Sequence, residues 1–436
     1  MKEKIINHEF SIFNFKISGK QIFAHPLFSG SAVMIIGSNV GNAIAYLYHL
    51  IFGRILGPSR YGELSSILSI MGLLFAAFGF LGLVIVKFVS SGDRKNLKSV
   101  YSWFFKIALR FGIGMSVIIL LASPFLSNFL HLDLHVVMLL SPIFFFAIVG
   151  FVYRSFLQGL MRFTQMVVVT NLDIISRLVF GLLFIYLGLS VFGAVLGLFA
   201  AMLVSFVTLR TFLKDIRIST KVNQKFTGSK KVIKYALPVL LASLATNSFF
   251  STDVILVKHF FDSHDAGIYA SLSTLGRIIF YGAGPVSSVM FPIIARRHSK
   301  KSDYKKVFVL SFLLTLAISL FVVVLYFIFP ETSVRLLYGE GFIEASSYLV
   351  YFGIFMTIFT LSSLMLNLFL SIEKVGAVYI AAVFAIIQAF GIWIFHDSIL
   401  TVVKVSIYAS SLMLMSLLIY FVNGAKNGRE IQEKIN

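Results

Sequence analysis

The sequence predicts an all-α polytopic membrane protein, and three observations predict it. Hydrophobic residues make up 58% of the 436-residue chain and charged residues only 13%. Apolar stretches of spanning length, about 20 residues each, follow one another almost without a break. The short breaks between them collect basic, glycine and turn residues. In a bilayer the backbone must satisfy its own hydrogen bonds, so such stretches are helices. A soluble domain of this length has a core, but not so many spanning runs.

Taken in order, about twelve spans centre near residues 40, 75, 112, 146, 177, 201, 246, 279, 317, 358, 385 and 410. The first covers about residues 28–52; no small-residue cleavage site follows it, so it is expected to stay attached. Several pairs are split by short turns, such as Gly188-Leu189-Ser190 and His396-Asp397-Ser398. The longest polar connectors, 214–234 and 296–306, are too short for an independent core. The expected organisation is an amino-terminal segment 1–27, a six-helix bundle 28–213, a basic linker 214–234, a second six-helix bundle 235–422 and a tail 423–436.

Charge gives the orientation. Lys2, Lys4, Lys16 and Lys20 precede the first span; Lys87, Arg94, Lys95 and Lys98 follow the second; Arg210 and Lys214 through Lys234 follow the sixth; Arg296, Arg297, Lys300, Lys301, Lys305 and Lys306 follow the eighth. All these clusters fall on one side, which is therefore expected to be cytoplasmic, with both termini on it. The opposite side collects Asp133, Asp262, Asp265, Glu331, Glu340, Glu344 and Asp397. The net charge of +19 is mostly this bias, so no nucleic-acid partner is expected.

The chemistry of the chain excludes several functions. It has no cysteine, hence no disulfide, thiolate metal site or cysteine nucleophile. No Walker loop, paired carboxylates, metal-ligand spacing or Ser/His/Asp arrangement stands out. No cofactor, metal or catalytic residue is expected, and the reading is a transporter rather than an enzyme.

The informative residues are charges inside apolar spans. Arg277 lies near the middle of residues 267–290, and Arg110, Asp173, Arg177, Asp253 and Lys404 also fall within spans. A charge at bilayer depth costs at least about 2.5 to 3.5 kcal/mol, so such groups face a cavity, a partner or a substrate. Thr170, Asp173 and Arg177 share a helix face within about 60°. Ser243, Thr246, Asn247 and Asp253 line one side of the seventh span; Thr274, Arg277, Tyr281 and Gly284 do so on the eighth.

Internal repetition points the same way. Residues 42–62 (NAIAYLYHLIFGRILGPSRYG) and 247–267 (NSFFSTDVILVKHFFDSHDAG) run from asparagine to glycine with the same spacing. The fourth span ends RSFLQGLMRF at 154–163 and the tenth ends NLFLSIEKVG at 367–376. Two six-helix halves around a central cavity are a transporter architecture, with the substrate near the midplane.

Arg54-Ile-Leu-Gly-Pro-Ser-Arg-Tyr-Gly62 resembles the R-x-L-G-x-x-x-Y-G signature of polysaccharide flippases, as does the Leu157-Gln-Gly-Leu160 turn. Asp253 followed by Ala266-Gly-Ile-Tyr269, Phe291-Pro292 and Leu337-Tyr-Gly339 are similar to second-half landmarks of that family. The resemblance covers essentially the whole chain. It points to Wzx-type O-antigen and capsule-unit flippases, the oligosaccharidyl-lipid branch of the multidrug/oligosaccharidyl-lipid/polysaccharide exporter superfamily.

The resemblance implies a MATE-like fold of two pseudo-symmetric six-helix bundles in the cytoplasmic (inner) membrane. It also implies a cargo, an oligosaccharide on undecaprenyl pyrophosphate, moved from the inner to the outer leaflet. Arginine suits such a cargo because its planar fork donates paired hydrogen bonds to phosphate. The expected pyrophosphate and sugar cavity is lined by Arg277, Arg177, Asp253, Asp173, Asn247, Lys404 and Asn42, with Arg154 and Arg110 at the cytoplasmic entrance. Gly282, Gly284 and Pro285 are the expected hinge, since proline removes a helix hydrogen bond.

Plainer roles compete at each position. Asp173 and Arg177 are four apart and can neutralise each other. Asp253 can pair with Lys258 or cap a turn, while Arg110, Arg154 and Lys404 can reach the interface. His49, Tyr46, Tyr48 and Tyr61 read as interfacial residues. A proton or sodium ion is the candidate coupling ion, and other polysaccharide-assembly proteins and membrane lipid are candidate partners. The competing functions are a cation-coupled drug exporter of the same superfamily, a lipid II flippase, and a membrane polymerase or ligase.

Overall fold

The computed structural model describes residues 10–12, 15–17, 26–91, 97–217, 240–300 and 302–433. A two-stranded antiparallel hairpin, β1 (Phe10–Ile12) with β2 (Phe15–Ile17), pairs Phe10 with Ile17 near the amino terminus. The sequence reading did not foresee it. Among the described residues, the elements that follow are all helices: α1 (Pro26–Ser91), α2 (Leu97–Leu130), α3 (Leu134–Met138), α4 (Leu140–Gly159), α5 (Phe163–Phe184), α6 (Ser190–Phe212) and the short α7 (Lys214–Arg217). Then come α8 (Leu240–Ser248), α9 (Thr252–Phe260), α10 (Ser263–Ser299), α11 (Lys305–Ile328), α12 (Pro330–Tyr338), α13 (Ser346–Ser371), α14 (Gly376–Ile394) and α15 (Ile399–Glu433).

Among the described residues, 8 stretches are long and apolar enough to cross a membrane, or up to 9 if the bent pair α8 and α9 is one span. One of these, 163–212, is itself broken at Gly188, and α1 is broken at Gly57. Every expected span centre lies in a helix. The breaks have local causes. Gly57 sits at φ 71°, ψ 174°, open to glycine at little cost, and Pro58 behind it has the fixed φ that starts a helix. Gly188 at φ 87° closes the tight π-type turn Ile185–Leu189 between α5 and α6.

The two repeated turns adopt one geometry. Met161, at φ 57°, and Glu373, at φ 60°, are left-handed. Each is followed by an amide reaching back five residues, Arg162 N–H to the Leu157 carbonyl and Lys374 N–H to the Phe369 carbonyl, both 2.9 Å. Met161 N–H to Gln158 (3.0 Å) and Glu373 N–H to Leu370 (3.2 Å) complete a Schellman-type ending in each. The likeness of 154–163 and 367–376 is thus structural as well as sequential.

The chain divides into two compact units. One comprises residues 1–48, 81–121 and 138–229, the other 49–80, 122–137 and 230–436. In the first, α5 and α6 pack backbone to backbone: a Cβ on Gly197 would lie 2.5 Å from the Gly181 backbone. Tyr101, Phe104, Tyr153 and Phe156 fill its interior with mutual ring contacts. In the second, Phe249, Phe250, Phe280, Phe355 and Phe359 form a continuous aromatic core.

Gly62 and Gly267, matched by the repeat, touch within the second unit. A Cβ on Gly62 would lie 2.7 Å from the Gly267 nitrogen, and one on Gly267 would lie 1.9 Å from the Pro58 carbonyl oxygen. The signature glycines are there for close backbone approach. Tyr61, the residue before Gly62, is drawn into the protein and is not an interfacial ring. It is fully buried, and its hydroxyl meets His49 Nδ1 (3.1 Å), Thr274 Oγ1 (3.1 Å) and Tyr338 Oη (2.9 Å). Tyr48 is buried too.

Candidate functional site: two intramembrane arginine centres

The first centre lies within the first unit. Asp173, 2% exposed on α5, accepts a hydrogen bond from Arg177 one turn on (2.5 Å) and another from Ser205 Oγ of α6 (2.9 Å). Arg154 of α4 approaches the same carboxylate at 3.6 Å and reaches Ser205 Oγ at 3.3 Å. Two guanidiniums therefore share one carboxylate. The neutralising role weighed for Asp173 and Arg177 is present, but it leaves one positive charge over. Arg154, expected at an entrance, is a member of this centre.

The second centre lies within the second unit, at a break in the seventh span. Helices α8 and α9 meet at 43°, with residues 249–251 between them. The break frees carbonyls that a straight helix would use. Arg277 of α10 donates to the Phe250 carbonyl at 2.6 Å and lies 5.1 Å from the Phe250 ring centroid, a cation–π distance. Gln388 of α14 donates to the Phe249 carbonyl (3.1 Å) and to Ser406 Oγ of α15 (2.9 Å). Satisfying such carbonyls is obligatory at bilayer depth.

Asp253 opens the first turn of α9, fully buried. Its carboxylate accepts from Tyr269 Oη and from the Val254 amide, each at 2.8 Å. The alternative pairing with Lys258 is not made; Lys258 is buried and donates to Ser263 Oγ at 2.7 Å. Asn247 turns back to the Ser243 carbonyl (2.9 Å), a local bond. Asn42, Arg110 and Lys404 are exposed, and α10 runs as one helix through Gly282, Gly284 and Pro285.

The three arginines have one feature in common. Arg154, Arg177 and Arg277 each carry a buried Nε–H that no protein acceptor meets. A planar guanidinium with a spare N–H edge is a donor surface for an oxyanion. Sequence reasoning missed Gln388. Its signal was the lone amide in the apolar run GAVYIAAVFAIIQAFGIWI.

This arrangement of helices is that of a known class of membrane transporter. A multidrug-resistance MATE family transporter of the MOP superfamily, in an inward-facing conformation, matches with a TM-score of 0.72 at 16% identity, covering 92% of this chain and 99% of that one. The lipid II flippase MurJ, in an inward closed conformation, matches at 0.70 and 14% identity, covering 91% of this chain and 87% of that one. At the level of sequence, residues 27–298 match the polysaccharide biosynthesis protein family, and the chain belongs to it. An uncharacterized membrane protein of Methanocaldococcus jannaschii is 24% identical over 292 residues, 61% of this chain and 67% of that protein. The protein is a multi-pass membrane protein of the polysaccharide biosynthesis family, with the fold seen in MOP-superfamily transporters.

Proposed function

We propose that the protein flips a polyprenyl-pyrophosphate-linked oligosaccharide from the cytoplasmic to the outer leaflet by alternating access, with both termini cytoplasmic. One observation carries the reading: the intramembrane guanidiniums exceed the carboxylates that pair with them, and each keeps a buried N–H free for an oxyanion. A pyrophosphate diester supplies about two negative charges and acceptors in the right geometry. In this reading each centre is by itself a station for the anion, Arg277 in the second unit and the Arg154–Arg177 pair in the first, where Asp173 holds the pair in place. Asn247, Asn42, Lys404 and Arg110 have the weaker claim of polar groups along the route, with Gly282, Gly284 and Pro285 as the hinge.

The membrane potential supplies a driving force. Outward movement of an anion gains about 2.3 kcal/mol per charge per 100 mV when nothing compensates the charge. A proton or sodium ion at Asp253 is the alternative source, because that carboxylate is fully buried beside the helix break. Membership in a polysaccharide biosynthesis family favours a lipid-linked cargo over a cationic drug.

The test is transbilayer movement of a fluorescent undecaprenyl-pyrophosphate oligosaccharide in proteoliposomes of known orientation. Potential-dependent flipping by the wild type is the expected result. Ion-driven efflux of a cationic dye with no lipid movement would replace the reading by a drug exporter.

A further inference from the structure

Beside the break in the seventh span lies a groove of about 520 Å³, within the size range of ligand sites. One wall is Leu241, Ala245 and Leu256, from both sides of the break; the other is Ala382, Ala389 and Trp393 of α14. The sequence explains the trough. Alanines at 382, 385 and 389 share one face of α14, and the small side chains leave space against a span bent by 43°.

The chemistry of the walls selects hydrocarbon. The two hydroxyls in the groove, Ser248 and Thr252, bond each other at 2.8 Å across the break and offer little to a polar ligand. The dimensions select a long chain. Leu241 to Leu256 spans about 20 Å at 1.5 Å per residue. One leaflet of a hydrocarbon core of about 30 Å is only about 15 Å deep, so a chain filling the groove passes the midplane. An ordinary acyl chain stays in its own leaflet.

The groove also adjoins the second arginine centre. Ser248 and Thr252 flank the two carbonyls held by Arg277 and Gln388, and Gln388 lies in α14 between groove residues 385 and 389. A lipid with an anionic head at Arg277 and a chain against α14 would engage one helix break with both ends. We propose that this groove seats the isoprenoid chain of the lipid carrier, an inference that rests on the flippase reading above. The head is then held by arginine, while the chain slides along α14 as the head changes leaflet.

Trp393 reports on the groove directly. The chain has two tryptophans, so Trp103→Phe leaves Trp393 alone, 47% exposed at the end of the groove. In vesicles of brominated phosphatidylcholine its fluorescence is quenched. Undecaprenyl phosphate added at a few mole per cent should restore it saturably, while unbrominated phosphatidylcholine restores it only in proportion to dilution. Ala389→Phe, or Ala382→Leu where the larger residue impairs folding, fills the trough and should abolish the saturable part.

Recovery no greater than with phosphatidylcholine, or saturable recovery kept in a well-folded groove-filling variant, would overturn the proposal. The probe has no sugar and the readout is not transport. Wild type that flips the oligosaccharide lipid without saturable recovery therefore sinks the groove alone; saturable recovery without any flipping supports the groove and sinks the cargo assigned above.

Discussion

Neutralising Asp173 should both destabilise the protein and increase its affinity for anions. Asp173→Asn preserves the shape of the side chain and a partner for Ser205, but leaves Arg154 and Arg177 facing each other without the shared carboxylate. Removing one partner of a buried ion pair costs about 3–5 kcal/mol. The two guanidinium side chains are 28% exposed, which places the expected loss near the lower end, about 3 kcal/mol. Arg177→Gln should cost less, because Arg154 then has Asp173 to itself. Denaturation of the purified protein in mixed micelles reads these differences. Pyrophosphate should then stabilise Asp173→Asn more than wild type, since the local charge rises by one; at 100 times Kd the gain is about 2.7 kcal/mol. A variant as stable as wild type, or one indifferent to pyrophosphate, would refute the shared-carboxylate account.

Three further substitutions test the second unit. Gly267→Ala places a methyl 1.9 Å from the Pro58 carbonyl oxygen and should cost about 3 kcal/mol, seen as loss of the monodisperse peak in size-exclusion chromatography. Gly284→Ala meets nothing within 4 Å, so the fold should be retained; if Gly284 is a hinge, flipping slows while the unfolding midpoint does not fall. Gln388→Leu strands the Phe249 carbonyl at the break and should lower stability by about 1–3 kcal/mol, measured by the same denaturation titration.

Much of the fold was legible because bilayer insertion enforces a strong pattern. Span length, the glycine-proline break at 57–58, the turn at Gly188 and the repeated turn after the fourth and tenth spans all follow from local rules about backbone conformation. Arg154, Arg177 and Asp173 were legible as charges within or near spans, and Asp173 with Arg177 as a pair four residues apart. That Arg154 joins them depends on how α4 packs against α6, which spacing along one helix does not encode.

The break at 249–251 was not legible, because neither proline nor glycine causes it; it is stabilised by donors from α10 and α14, far away in sequence. Arg277 consequently reads differently in three dimensions: it is the donor that closes a broken helix as well as a candidate ligand. Tyr61 misled for a related reason. A tyrosine near a span end usually anchors at the interface, whereas this one is drawn inward by three hydrogen-bonding partners.

The most direct measurement compares wild type, Arg277→Lys and Arg277→Ala for flipping of the fluorescent undecaprenyl-pyrophosphate oligosaccharide in oriented proteoliposomes. The account predicts a fall of at least tenfold for Arg277→Ala, equivalent to 1.4 kcal/mol or more. Arg277→Lys should be intermediate, because a point charge replaces a planar fork. Undiminished flipping by folded Arg277→Ala would contradict the claim that this guanidinium holds the anionic cargo.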